Sequence, residues 1–477
     1  MAVLRTKFLE RGEEDLIHEQ SLKSLQEIGV LIHSPGVLQM LREAGAEVDL
    51  KTEIAKIPES LVKDALKKAP KRIRYCGRDP KRDFEIPTER WPFTATNGLA
   101  VHIADLETGT DHPSTRADLA GFTRLADALD PIDYLWTSLT ATDVPEVSHS
   151  LHELWITLQN TTKHVESITV AGAEDAKAQI ALAALVAGGP EALRKRPIMS
   201  VVSCPTAPLT FNKVAVEAQV EFARAGVPVL GMSMSLAGAS SPVTIAGTIA
   251  NLNTENLASL VIDQVAAPGS PHIYTSDSTP VDMRTGYIDY TAPETPMISA
   301  AAVQMAKRYS LPCMTSGWGA AVGTEPGLPA FSQLAGILIS AMAGTDLSAG
   351  MGGLDHAKGG SYEMMILDAA MWEDLRSFMR GVTVTEETVA LDVVKAVGHG
   401  NTFLRHPHTV QNFKRELFFR NAQTLGWQAT LSNRMIPEAR GIAKKTLKDH
   451  SVRGLDKDVL RQGDALIREY ERTHATP

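Results

Sequence analysis

The chain has 477 residues, of which 44% are hydrophobic and 5% aromatic, so it is long enough to bury a large core. Its formal net charge of -9 argues against nucleic acid or an anionic membrane as the main partner, since both favour clustered Lys and Arg. Cys76, Cys204 and Cys313 are widely separated, which predicts neither a disulfide framework nor a zinc site. The first twenty residues turn acidic before any apolar run, so we expect a cytoplasmic protein without a secretory signal.

Residues 1–90 predict an N-terminal extension of helices and a hairpin. Apolar residues share one helical face over residues 17–28, and Gly29 can end that helix. Second and third helices are predicted over 34–44 and 58–69, each with Pro near its start. Residues 72–86 have the composition of a short β-segment, with turns at Gly77 and Asp79-Pro80.

From residue 91 to residue 381 the chain alternates regularly between buried strands and amphipathic helices. Strands are predicted near 93–103, 132–142, 164–170, 198–206, 228–236, 271–276, 311–316 and 346–351. Helical segments follow, beginning near Thr115, Ser148, Glu174, Asn212, Val243, Glu294, Ala330 and Ser361. Eight such units predict an α/β fold, a (β/α)₈ TIM barrel.

An open, doubly wound sheet is the main alternative to the barrel. It would normally carry a glycine-rich ligand loop, and no G-x-G-x-x-G follows any predicted strand. The most apolar stretch, 334–354, contains Gly336, Gly344 and Asp346, so a buried helix leading into a buried strand explains it better than a membrane span.

Residues 382–477 are more charged and predict a C-terminal helical region. It includes an Arg- and Phe-rich segment over 413–420 and a polar helix over 460–472. A helical cap on the barrel is the simpler interpretation, and a surface for docking a partner is the alternative.

In a barrel of this kind the reacting groups come from the C-terminal strand ends and the loops that follow them. The segments at these positions are 96–98, 140–143, 166–167, 203–208, 232–236, 274–284, 315–318 and 350–356. They contain no P-loop, no G-x-S-x-G elbow and no H-E-x-x-H motif. They also contain no Lys, which argues against a Schiff-base aldolase.

Several side chains in or beside these segments are candidates for binding a ligand. Trp318 lies between Gly317 and Gly319 and could present its ring at the barrel mouth, although core packing is equally compatible. Asp355 and His356 could act in acid–base or metal chemistry, but such a loop pair is more often structural. Arg284 could bind an anion or hold its own loop, and Glu166 could attract a cation or satisfy a hydrogen bond.

The order of sequence phrases resembles the trimethylamine methyltransferase superfamily over nearly the whole chain. The most specific phrase spans residues 207–250, APLTFNKVAVEAQVEFARAGVPVLGMSMSLAGASSPVTIAGTIA. The others are LKSLQEIGV, GRDPKRDFEI, ADLETGT, TRLADALDPIDY, DMRTG and YSLPCMTSGWGA.

This resemblance implies transfer of a methyl group from a small amine to the Co(I) of a corrinoid. The archetypal members carry pyrrolysine, whereas this sequence has only standard residues and no pyrrolysine, so it resembles the branch that acts on quaternary amines. Glycine betaine is the first expected substrate. Aromatic faces and carboxylates would hold its cation, with Trp318, Tyr274, Asp355 and Tyr362 as candidates, and Arg284 or His356 would bind its carboxylate.

The resemblance also implies a cognate corrinoid protein as partner, because the D-x-H-x-x-G motif of a cobalamin-binding module is missing. No residue is assigned a catalytic or metal-binding role, and a homo-oligomer is expected. The alternatives are the same chemistry on proline betaine, carnitine, γ-butyrobetaine or choline, and a non-catalytic betaine-binding protein.

Overall fold

A closed barrel of eight parallel strands forms the centre of the computed structural model, which describes residues 5–315, 317–318, 331–417 and 434–474. The order of the strands around the ring is their order along the chain. This topology confirms the predicted α/β barrel and excludes the open sheet. All eight strands lie within the predicted ranges, although residue 316, which ends one of those ranges, is outside the described residues. The strands are β1 Phe93–Thr96, β2 Tyr134–Trp136, β3 His164–Ser167, β4 Met199–Ser203, β5 Val229–Ser233, β6 His272–Ser276, β7 Cys313–Thr315 and β8 Leu347–Met351.

A helix follows each barrel strand and packs outside it. Side-chain caps fix two of the helix starts, since the hydroxyl of Thr115 accepts from the backbone N–H of Asp118 and that of Ser361 from Met364. The observed helix bounds confirm the predicted starts to within two residues, except that Ala330 lies outside the described residues. The helices are α1 Arg116–Ala128, α2 His149–Asn160, α3 Ala173–Ala187, α4 Lys213–Ala225, α5 Ile245–Ala266, α6 Glu294–Arg308, α7 Phe331–Ala343 and α8 Tyr362–Met379.

A two-stranded hairpin, Ile73–Tyr75 with Phe84–Ile86, plugs the end of the barrel at which the strands begin. The Phe84 ring stacks on Phe93 at 4.0 Å between centroids, and Tyr75 packs edge-on against Tyr134 at 5.7 Å. These rings join the apolar side chains inside the barrel in one buried cluster. The predicted hairpin is therefore confirmed, and it leaves the opposite end of the barrel for the site.

The rest of the N-terminal region packs on the outer helices of the barrel. Its helices Arg11–Lys23, Pro35–Glu43 and Glu59–Lys68 confirm the three predicted ones, the first continuing as a π-helical turn to Gly29. They share a buried apolar cluster with α5 and α6. A small sheet was not predicted, because its strands are too short to show a period: Val30–Ile32, Glu47–Asp49, Ile54–Lys56 and Thr210–Phe211.

Two long C-terminal helices clamp one side of the barrel. Met435–Asp449 packs on α8 and α1, and Lys457–His474 packs on α2 and α3. Within the described residues no helix is both long and apolar enough to cross a membrane. The remaining helices are Pro190–Lys195, Glu386–Val389, Leu391–Val397 and Pro407–Glu416, with 3₁₀ turns Pro80–Arg82, Glu146–Ser148 and Phe403–Arg405. Residues 418–420 of the predicted 413–420 segment are outside the described residues.

Short strands lie in the loops that follow the barrel strands, around the mouth of the barrel. They pair with one another rather than with the barrel, so they add a rim above the strand ends. The strands are His102–Ala104, Asp111–Pro113, Leu236–Ala237, Thr279–Pro280, Gly353–Leu354 and Gly359–Gly360.

Two helical glycines provide a matched test of how the last helix docks. A Cβ at Gly463 would lie 2.3 Å from the Trp155 ring, whereas a Cβ at Gly441 would have no described atom within 4 Å. We expect Gly463→Ala to cost about 1–3 kcal/mol of unfolding free energy through overpacking. Gly441→Ala should instead stabilise by about 0.5–1 kcal/mol, because Ala loses less backbone entropy. Thermal unfolding of both variants would check this, and equal melting shifts would contradict the close approach.

Candidate active site

A cavity of about 290 Å³ lies at the mouth of the barrel. Every barrel strand contributes at least one lining residue, either from its C-terminal end or from the loop that follows it, as expected for an active site in this fold. The side chains that line it include Asn97, Trp136, Ile168, Val202, Cys204, Met232, Met234, Asp277, Tyr290, Trp318, His356 and Lys358.

The wall formed by β3, β4 and β5 is apolar and carries no charge. Ile168, Val202, Met232 and Met234 provide its aliphatic and thioether surface. Cys204 belongs to the same wall, and burial raises the pKa of its thiol to about 12. The thiol therefore stays neutral, and this side of the cavity suits methyl groups.

An acidic group faces the cavity after β6. The Tyr290 hydroxyl donates to Oδ2 of Asp277 at 2.9 Å, and the backbone N–H of Asp277 donates to the Ser233 carbonyl at 3.0 Å. Burial and then the nearby Asp277 carboxylate raise the pKa of Tyr290 well above its usual range. Tyr290 therefore remains a hydrogen-bond donor that orients the carboxylate.

Two tryptophans border the cavity, and the backbone of a glycine lies unusually close to each of them. Trp318, which is 5% exposed, packs edge-on against Trp372 at 5.8 Å, and its ring N–H has no hydrogen-bond partner among the residues described. A Cβ at Gly350, where φ is +122°, would lie 2.4 Å from the Trp318 carbonyl oxygen. A Cβ at Gly98 would similarly lie 2.5 Å from the Trp136 ring. Glycine at both positions lets the indoles sit at the cavity.

A strained turn after β8 supplies the basic groups of the cavity. Asp355, His356 and Ala357 all have left-handed backbones, with φ of 46°, 53° and 70°. Such backbones cost of order 1–3 kcal/mol each and persist only where their surroundings hold them. Asn97 holds this turn by donating to the Ala357 carbonyl at 3.2 Å. The turn places His356 and the exposed Lys358 on the cavity lining. Nδ1 of His356 is buried without a hydrogen-bond partner in the described ranges.

Glu166 lies inside the barrel beneath this cavity, one strand from Trp136. Its Oε2 accepts hydrogen bonds from the Ser200 hydroxyl at 2.8 Å and the Tyr75 hydroxyl at 3.1 Å. Its residue pairs in register with Trp136 on β2, so both side chains point into the barrel. Burial raises the pKa of Glu166 to about 7.

The structure brings some of the predicted site residues together and separates others. Trp318 and His356 line the cavity, Asp355 precedes His356 in the same turn, and Glu166 lies below. The second glycine beside Trp318, Gly319, is outside the described residues.

Asp355 does not line the cavity itself, and its carboxylate lies 3.6 Å from Nε2 of His102; three further predicted residues lie away from the cavity. Tyr274 points outward from β6, because side chains alternate along a strand, and its hydroxyl donates to Asn253 at 3.0 Å. Tyr362 packs on Phe122 and donates to the Asp118 carbonyl at 3.2 Å. The Arg284 side chain is 89% exposed and pairs with Asp282 in its own turn.

Sequence reasoning also missed residues that the structure places at the cavity. Asp277 lay within a segment considered but was not singled out, and Trp136, Tyr290 and Lys358 lay outside those segments. Trp136 ends its strand, which is a signal that could have been used. Tyr290 reaches Asp277 only because the intervening loop folds back. In the part of the chain that the structure describes, no cluster of three or more His, Cys, Asp or Glu side chains is arranged to hold a metal ion.

A closed (β/α)₈ barrel with a small, aromatic-lined cavity at its strand ends defines an enzyme that acts on a small molecule. Residues 2–474 match the family model described as trimethylamine methyltransferase (MTTB). The chain belongs to this methyltransferase family.

Individual relatives agree with this assignment. The chain is 36% identical to trimethylamine methyltransferase MttB of Desulfitobacterium hafniense (strain DSM 10664 / DCB-2), over 85% of this chain and 82% of that protein. It is 28% identical to a glycine betaine methyltransferase of D. hafniense (strain Y51), over 84% and 83%. The fold is similar to that of the Methanosarcina barkeri monomethylamine methyltransferase MtmB, with a TM-score of 0.50, 12% identity and 92% of each chain covered.

The raised pKa of Glu166 predicts a pH-dependent contribution to stability. Its pKa is about 7 in the folded protein against an ordinary value of 4.5, so the folded state holds the proton between these values. The stability from this group is fully present below pH 4.5 and is lost as the pH rises through 7. Glu166→Gln should remove this dependence, which amounts to about 3 kcal/mol across the window.

Urea unfolding of wild type and Glu166→Gln across this pH window would check the prediction. The exposed Glu191→Gln is the matched control and should track the wild type. A wild-type-minus-Glu166→Gln difference that stays constant with pH would contradict the buried neutral carboxyl.

Proposed function

We propose that this enzyme transfers a methyl group from a quaternary amine, glycine betaine first, to the Co(I) corrinoid of a separate partner protein. The observation that carries the proposal is the Asp277 carboxylate, oriented by Tyr290, in a cavity that tryptophan rings also line. A fixed cation without N–H groups is held by a carboxylate and aromatic faces rather than by hydrogen bonds.

The cavity has separate places for the two charges of a betaine. Asp277 follows β6, and His356 and Lys358 come from the turn after β8, with Trp318 after β7 between them. A carboxylate is bound by nearby N–H donors of cationic or imidazole groups, which the β8 turn supplies. The apolar wall of β3 to β5 then receives the methyl groups.

Methyl transfer from a quaternary amine requires the protein mainly to orient the substrate. The C–N bond breaks and its electron pair stays on nitrogen, while Co(I) would supply the electron pair for the new bond to the methyl carbon, so glycine betaine gives dimethylglycine and methyl-Co(III). The leaving group is a neutral amine and needs no general acid. Holding the cation so that one methyl faces the acceptor is an orientation effect that can contribute several kcal/mol.

The size of the cavity supports a partner that carries the corrinoid. A volume of about 290 Å³ suits a small amine and is too small to enclose a corrin macrocycle. The corrinoid would therefore stay outside, over the mouth, where all eight strand ends open.

A donor screen tests the proposal and separates its alternatives. The purified enzyme would be mixed with cob(I)alamin and, in turn, glycine betaine, proline betaine, carnitine, γ-butyrobetaine, choline and trimethylamine. Methylcobalamin, followed by its absorption spectrum and matched by dimethylglycine, should form with glycine betaine. Activity confined to trimethylamine would overturn the proposal, and tight betaine binding without transfer would favour a binding protein.

Removing the cation contacts should weaken catalysis strongly. Because Asp277 and Trp318 would contact the fixed charge, we expect Asp277→Asn to lower kcat/KM at least about tenfold and Trp318→Ala about 2- to 30-fold. Arg284→Ala is the matched control, since its side chain is exposed and pairs within its own turn. Initial rates of methylcobalamin formation would measure all three, and unchanged rates in Asp277→Asn would remove this residue from the site.

The basic turn should select the carboxylate of the substrate. Lys358→Ala and His356→Ala are expected to raise KM for glycine betaine up to about tenfold each, because a charge-assisted hydrogen bond is lost. Inhibition by choline, which has the cation without the carboxylate, should stay unchanged. The exposed Lys445→Ala serves as the charge control. Equal weakening of choline and betaine would show that the turn does not read the carboxylate.

A further inference from the structure

Residues 380–417, here called the C-terminal arm, are mostly exposed. The structure describes every residue of this arm, and only Ala390 and Val393 among them are buried. The arm holds nine of the 21 exposed large apolar side chains in the described part of the chain: Val382, Val384, Val389, Leu391, Val394, Phe403, Leu404, Val410 and Leu417. A concentration of this kind marks an interaction surface rather than scattered surface residues.

The apolar area of the arm is large enough for a stable interface. From their fractional exposures, the nine side chains present roughly 900 Å², against the ~800 Å² per partner of a standard protein interface. Part of it forms a groove of about 680 Å³ between the first two arm helices, lined by Val384, Val389 and Leu391.

The position of the arm excludes the barrel mouth as its neighbour. Helix α8 starts beside the cavity turn and ends at Met379, near Arg376, whose guanidinium lies 5.8 Å from the Trp91 ring centroid. Trp91 lies two residues before the start of β1 at Phe93, so the arm leaves from the plugged end of the barrel. The Arg380 guanidinium donates to the carbonyls of Arg415 and Glu416, which holds the returning end of the arm at the same place. The arm base therefore lies opposite the opening at which a methyl acceptor would dock.

The two halves of the arm carry opposite charge. Residues 382–397 contain three acids and one base, Lys395; Glu386 and Asp392 line the groove together with Lys395, so its lining keeps an excess of negative charge. Residues 403–416 contain three bases, including Arg405 and Lys414, with Glu416 as the only acid. Leu404, which is 79% exposed, projects beside Arg405. One arm is thus complementary to a second arm related to it by a two-fold axis.

We propose that two copies of this chain pair through their arms, residues 403–416 of each copy seating on the groove of the other. Leu404 enters the apolar groove, and the basic half of each arm meets the acidic half of the other. In such an isologous interface every contact occurs twice, so both grooves are filled at once.

Sedimentation velocity of the full-length protein over a concentration series tests the pairing. The wild type should sediment as a dimer or a higher assembly, and Leu404→Asp should raise the dissociation constant at least about tenfold, because each copy loses one buried leucine. Leu16→Asp, exposed on the first helix, is the control and should leave the assembly intact. A monomeric wild type, or a Leu404→Asp protein that sediments as the wild type does, would overturn the proposal.

Charge reversal gives a second test that does not depend on the leucine. A Glu386→Lys, Asp392→Lys protein has two basic arm halves, and an Arg405→Glu, Lys414→Glu protein has two acidic halves. Each alone should be monomeric, whereas an equimolar mixture should form dimers containing one copy of each. Persistent dimers of either variant alone, or monomers in the mixture, would contradict the arm pairing, and circular dichroism would check that both variants are folded.

Discussion

Closure of eight parallel strands into one ring is the constraint on which the rest of this structure depends. Closure brings all the strand ends to one rim, so Asn97 and His356, far apart in sequence, line the same cavity. The aromatic hairpin at residues 73–86 fills the other end of the ring. The position of the site is thus set by topology and packing, while its specificity is left to the few side chains that each loop delivers.

The barrel could be predicted from sequence because each unit has a local signal: a buried run for the strand and a polar cap such as Thr115 or Ser361 for the helix. The small N-terminal sheet has no such signal in three-residue strands. For the candidate site, the rule of strand ends predicted the rim that carries the cavity but not the direction of each side chain. The glycine before Trp318 is a local signal for a residue that does line the cavity, whereas the prediction for Tyr274 ignored the alternation along β6 that turns its side chain outward.

The electrostatics of the barrel interior change with depth. Near the cavity the acidic and basic groups, Asp277 and Lys358, are brought to the lining by different loops. Deeper, burial raises the pKa of Glu166 to about 7 and lowers that of His164 to about 3, so both buried groups tend toward their neutral forms. A neutral layer beneath the cavity leaves the electric field at the mouth to the groups that line it, as the proposed recognition of a small charged molecule requires.

The aromatic hairpin that fills one end of the barrel also affects the order in which substrate and methyl acceptor bind. Substrate and product reach and leave the cavity through the open end of the barrel. Under the proposed chemistry the methyl acceptor binds over that same opening. An amine must then enter before the acceptor arrives, and its demethylated product must wait until the acceptor departs. A barrel that is open at one end only would therefore impose an ordered binding and release mechanism, which follows from the fold and not from any single residue of the site.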